Sequence, residues 1–250
     1  MTRPTTVASG PMNNAGEIFG ETLRRGWRGM LSWGVGIGLL GLLQVVILPD
    51  TDALQQMTNL LETMPPMVLQ MMGMADLEYL ATPEGYIALR FFGLTLLIVA
   101  FYAVTSGLNV TANDEERGIL NLYLSLPVPR WRLLVERTLA YAVMTIGVLI
   151  LAFLGLVLGI VITPALADVR LLRIAESTLN MLPSLLVALT FTVLVAAVTR
   201  RRGLVLAIAA GYVVGGYFVD TLGAGASSSL VSGLRGATFY YLGLTQTAWE

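Results

Sequence analysis

The chain contains no cysteine, no histidine and no lysine. Without thiols it can form neither a disulfide nor a thiolate nucleophile, and without imidazole it lacks the commonest general base and metal ligand. Zinc-dependent and most hydrolytic mechanisms are thereby set aside. Without lysine there can be no Gly-x-x-x-x-Gly-Lys-Ser/Thr loop, so this chain is not itself an ATPase of that type. Charge is scarce as well: 12% of the residues are charged, and the net charge is -1. The 15 basic residues, all arginine, stand beside apolar runs rather than in a tract able to follow phosphates, which argues against nucleic acid.

What the chain has in excess is apolar sequence. It is 56% hydrophobic, with a mean hydropathy of +0.75, and the apolar residues fall in runs too long for the core helices of a soluble domain. The expected fold is therefore an all-α polytopic membrane protein, with spans at about 30–48, 86–110, 139–163, 181–198 and 204–219. Residues 1–16, polar and without an apolar signal core, read as a disordered lead, and 17–250 as a single transmembrane domain. Ile18, Phe19, Leu23, Trp27 and Met30 recur at helical spacing opposite Glu21, Arg24, Arg25 and Arg28. That pattern predicts an amphipathic interfacial helix ahead of the first span, with its arginines toward lipid head groups.

Orientation follows from where the arginines lie. Segment 49–85 carries Asp50, Asp52, Glu62, Asp76, Glu78 and Glu84 and no basic residue, so it is expected outside. Arg130, Arg132 and Arg137 before the third span, and Arg200, Arg201 and Arg202 after the fourth, are inside markers that put the N-terminus in the cytoplasm. A charge-balanced loop with Asp168, Arg170, Arg173 and Glu176 is expected between the third and fourth spans. Met67, Met71, Met72 and Met74 in the outer loop read as adaptable apolar filler, since no cysteine or histidine joins them to make a metal site.

Two sets of residues within the spans stand out. Thr95, Tyr102, Thr105, Ser106 and Asn109 make the second span the most polar, and polar groups in lipid turn toward the protein interior or a wet path, so they are candidate pathway residues. Hydrogen bonds between helices would use the same side chains. Gly34 and Gly38, and again Gly211 and Gly215, are small residues four apart, a spacing that lets helices approach closely. They serve either packing between subunits or packing within the chain; Gly155 and Gly159 repeat the spacing in the third span.

The stretch from Asn113 to Arg137 organises the rest. Asn113 with Glu116 three residues on has the form of an N-cap and its capping-box partner, Asp114 and Glu115 add negative charge to the first turn, and Ile119, Leu120, Tyr123 and Leu124 follow at helical spacing. Pro127 and Pro129 end the helix before Arg130. With Glu116, Arg117 and Gly118, then Ser125, Leu126, Pro127 and Arg130, this stretch resembles the coupling segment of the permease subunits of type-2 ATP-binding cassette (ABC) exporters. Pro129 stands where a small polar residue is more usual.

The resemblance implies a coupling helix, with Asp114, Glu115, Glu116, Arg117, Gly118, Leu120, Leu124, Pro127 and Arg130 facing a separate ATPase subunit. It further implies two copies of that ATPase, a second identical or related permease, no cofactor on this chain, and ATP and Mg bound by the partner. The family typically has six spans with both ends inside, whereas the five counted here leave the C-terminus outside: either a sixth helix is missing from this sequence or this member departs from the pattern. Export across a prokaryotic plasma membrane of an amphipathic or hydrophobic compound, such as a drug, antibiotic or lipid, is the function implied. The alternative is a noncatalytic membrane scaffold that binds some other cytoplasmic partner through the same loop. A membrane enzyme fits poorly, because the spans hold no acidic pair and their serines have no evident base.

Overall fold

The computed structural model describes residues 16–47, 91–112, 129–163, 169–199 and 201–223, together with Asn59, Thr63, Ile87 and Leu166. Five helices fill these stretches: α1 (Glu17–Val46), α2 (Gly93–Leu108), α3 (Arg130–Ile162), α4 (Leu171–Val198) and α5 (Arg202–Gly223). There is no strand among the described residues. α1, α3, α4 and α5 each contain a stretch long and apolar enough to cross a membrane, and α2 is a shorter apolar helix. A helix satisfies its own backbone groups, which is what a span through lipid requires. The fold is therefore an all-α polytopic membrane protein.

Three helices run longer than the apolar stretches that announce them. The amphipathic segment expected before the first span and the span itself are one unbroken helix of 30 residues, about 45 Å long. Nothing between Gly26 and Met30 divides them, because glycine weakens a helix without removing a backbone hydrogen bond. α3 begins at Arg130 rather than near Leu139. α4 begins at Leu171, so Arg173 and Glu176, expected in a loop, lie in its first turns, and it continues through Pro183. Hydropathy marks only the part of a helix that lies in lipid, about 20 residues, and is blind to a polar extension beyond it.

α1 and α3 are parallel and in contact along their length. Phe19 meets Glu136, Gly34 meets Leu151, Gly38 meets Gly155, and Gly159 meets Leu42 and Val45. The approach is backbone to backbone: a Cβ added at Gly38 would lie 2.7 Å from the Leu151 carbonyl oxygen, and one added at Gly155 would overlap the Gly38 backbone. Along α3, Ala140, Val148 and Ala152 are buried while Leu139, Val143, Ile150 and Leu154 are exposed. Large side chains stand on both faces of α3, with Met144, Leu149 and Leu156 buried as well, because lipid takes up leucine as readily as a protein core does.

α2 is the central helix. Leu96, Val99, Ala100 and Ala103 have no exposed surface, and α2 packs against α4 and α5 and more lightly against α3. α4 and α5 form an antiparallel hairpin in which the rings of Phe191 and Tyr212 lie 4.4 Å apart. Near its turn, Ala196 and Val205 cluster with Leu108 and Ala112 at the end of α2. α1 is antiparallel to α2, with Gly41 against Phe91 and Trp33 against Tyr102. Chain direction thus alternates, and α1, α3 and α5 begin at the end, here called basal, where α2 and α4 finish.

The glycine pairs are resolved by these contacts. Gly34 and Gly38 are used within the chain, against α3, whereas a Cβ added at Gly211 or Gly215 would meet nothing within 4 Å. Gly155→Ala is therefore expected to lower thermal stability in detergent by about 1–3 kcal/mol, the usual cost of overpacking, while Gly211→Ala leaves it within about 1 kcal/mol of the wild type.

Candidate functional site

The charged groups that bind one helix to another gather at the basal end. α1 begins after Gly16, whose φ of 100° suits a glycine, and it has no side-chain cap of its own. The Phe19 N–H, in the position that an N-cap side chain normally satisfies, instead donates to Oε2 of Glu136 on α3 at 3.2 Å. Arg132 Nε donates to the other carboxylate oxygen at 2.7 Å. The Arg132 hydrogen bond, with help from the backbone N–H groups of Phe19 and Gly16, holds the Glu136 carboxyl below its ordinary value, against the opposing effect of partial burial. A carboxylate is also the right charge for the positive end of a helix.

Arg137, the next residue, turns to a different helix. It is buried, at 8% exposure, and its Nη1 donates to the Val110 carbonyl at 2.7 Å, just past the end of α2. A cation there matches the negative end of the α2 dipole. Glu136 and Arg137 therefore join the start of α1 and the end of α2 to α3. Segment 113–128 springs from between these anchored ends.

A groove of about 370 Å³ lies between α1 and α2, lined by Ser32, Trp33, Gly36, Ile37, Leu40 and Ile98. The Trp33 and Tyr102 rings meet at 5.8 Å, tilted by 55°. Of the candidate pathway residues, Thr95, Tyr102 and Ser106 are buried in the bundle, while Thr105 and Asn109 are exposed, so the five do not form one wall within the chain. The Thr105 hydroxyl donates to the Tyr102 carbonyl at 2.9 Å, the local use of a hydroxyl in an apolar helix. The hydroxyl oxygens of Thr95 and of Ser184 on α4 are buried without a hydrogen-bond partner among the described residues.

Of the expected coupling residues, Asp114, Glu115, Glu116, Arg117, Gly118, Leu120, Leu124 and Pro127 lie outside the described residues, and Arg130 opens α3. The methionine cluster of the 49–85 segment is also outside them. Two residues gain roles that the sequence reading did not assign. Arg137 was a topology marker, and Glu136 had no role. The available signal was an acidic and a basic residue side by side at the edge of a long apolar run, where unpaired charges are costly and partners are to be sought.

A bundle with apolar outer faces and its ionic contacts gathered at one end is a polytopic membrane protein, and its central helix carries polar groups in the manner of a transport protein. The profile of the family described as "Multidrug efflux system permease Rv1217c, C-terminal domain" matches residues 17–233, a range that takes in all five helices. The chain belongs to that family. No curated protein and no solved structure gives a significant match. Membership makes the chain a permease, a transport subunit rather than a catalyst.

Because the Glu136 carboxyl is depressed in the folded chain, its contacts contribute stability above the unfolded value of about 4.3 and lose it as pH falls through the folded value. Glu136→Gln is expected to cost about 1 kcal/mol at neutral pH. The difference from wild type should shrink below about pH 4.3, as read by thermal unfolding across a pH series.

Proposed function

We propose that the chain is the permease of an ATP-driven exporter, and that a separate ATPase subunit, in two copies, docks on segment 113–126. The observation that carries this reading is the family match to a multidrug efflux permease in a chain that lacks any lysine for a phosphate loop. Energy must then enter from another chain. ATP and Mg are bound there, and closure of the ATPase pair pushes the coupling segments of two permeases, identical or related, between inward and outward exposure.

The basal end is the cytoplasmic one on this reading. Arg24, Arg25 and Arg28 of α1, Arg132 and Arg137 of α3, and Arg201 and Arg202 at the start of α5 all lie toward it, as the positive-inside rule requires. Arg28 also lies over the Trp27 ring, 5.7 Å from its centre, the usual pairing at a membrane interface. The membrane is the plasma membrane of a prokaryote, with the N-terminus inside. The substrate is an amphipathic or hydrophobic compound. The groove between α1 and α2 suits one, since it offers aromatic and aliphatic surface with the Ser32 hydroxyl rather than fixed charge.

The test is an affinity pull-down of the chain from its native membrane in mild detergent. An ATPase should co-purify with the wild type and fall roughly tenfold or more with Glu116→Arg, the loss expected when a charge at a docking surface is reversed. Full recovery of the ATPase with that variant would remove the coupling segment from the interface. Recovery of a different cytoplasmic protein in its place would favour a scaffold.

A further inference from the structure

The bundle divides unevenly. α1 lies almost entirely on α3, α2 lies mainly on α4 and α5, α3 also packs on α4, and between α1 and α2 the groove opens beside the Gly41–Phe91 and Trp33–Tyr102 contacts. Where the two groups come together at the basal end, adjacent residues of α3 hold both. Glu136 takes the Phe19 N–H of α1, and Arg137 takes the Val110 carbonyl beyond α2. Each charge is matched to the helix end it holds, positive to the α2 C-terminus and negative to the α1 N-terminus.

We propose that Glu136 and Arg137 form a two-headed latch: Glu136 keeps α1 and α3 a single unit at their base, and Arg137 fastens that unit to the end of α2. Release of Arg137 from Val110 lets the basal end of the α1–α3 unit tilt away from the end of α2, pivoting on the packing of α3 against α4, and widens the groove. The unit moves as one body because its contacts are backbone against backbone at Gly38 and Gly155 and cannot slide without collision. The α2 group has its own anchor at this end in the cluster of Leu108, Ala112, Ala196 and Val205. The chain between α2 and α3 begins within three residues of Val110 and returns within eight of Arg137, so a pull on it acts first on the latch. This proposal rests on the exporter reading only for the source of that pull.

The absence of cysteine makes the test clean. Spin labels at Val135→Cys on α3 and Leu204→Cys on α5, both exposed at the basal end, report the distance between the two units. Labels at Val35→Cys on α1 and Ile150→Cys on α3, also exposed, report the interior of the first unit. In the chain purified alone and placed in nanodiscs, Arg137→Met should shift the 135–204 distances longer and broaden them while the 35–150 distances stay as in the wild type. Arg137→Lys, which still donates to a carbonyl, should restore most of the narrow distribution. An unchanged 135–204 distribution in Arg137→Met would overturn the latch, and so would movement of both pairs, which would mark a loosened fold rather than a released contact. The measurement needs no ATPase, so failure of the exporter reading, seen as no co-purifying ATPase, is told apart from failure of the latch.

Discussion

The close approach of α1 and α3 is the constraint on which the rest of the structure depends. In lipid, two apolar helices gain nothing by hiding from solvent, so they stay together only through van der Waals contact and hydrogen bonds. Glycine at positions 34, 38, 155 and 159 lets the backbones come within contact distance. The same close fit makes the pair stiff, since any sliding drives a backbone atom into its neighbour. α2 is then enclosed from the other side by α4 and α5, and the groove between α1 and α2 is where the two kinds of packing fail to meet.

Among the described residues, the ion pairs and the charged contacts between helices lie at the basal end. Glu21 is paired with Arg24 and Arg25 on the exposed surface of α1, where the pairing adds little to stability. Glu136 and Arg137 differ because their partners are helix ends on other elements, and Arg137 is buried. A buried guanidinium is costly to leave without hydrogen bonds, so the Val110 contact ties α3 to the end of α2.

Much of the fold was legible in the sequence, for reasons that can be named. Runs such as Leu139 to Ile162 and Leu204 to Val219 are long, apolar and uncharged, and only a helix can place them in lipid. The helix starts were not legible, because Glu17 to Met30, Arg130 to Thr138 and Leu171 to Asn180 are amphipathic extensions whose continuity with a span leaves no trace in hydropathy. Glycine spacing announced close packing at Gly34 and Gly38, yet could not say against what; the same spacing at Gly211 and Gly215 faces open space within the chain. Similarly, the hydroxyls of α2 announced polarity without direction, and Thr105 and Ser106, adjacent in sequence, point to different surroundings. The Glu136–Phe19 and Arg137–Val110 contacts join residues 117 and 27 positions apart, beyond the reach of any local pattern.

These features fit one device: a stiff helix pair, a central helix with polar groups, a groove between them, and a charged junction at the root of the segment that joins them. The central claim is that a chain with no phosphate-binding loop moves an amphipathic compound with energy delivered through that root. The direct measurement is uptake of a fluorescent amphipathic dye into inside-out proteoliposomes that hold this permease with its co-purified ATPase, with ATP and with a nonhydrolysable analogue. ATP-dependent accumulation, lost with the analogue and lost when the permease is left out, is the result predicted. Dye movement that is the same with ATP, with the analogue or with no nucleotide would contradict it.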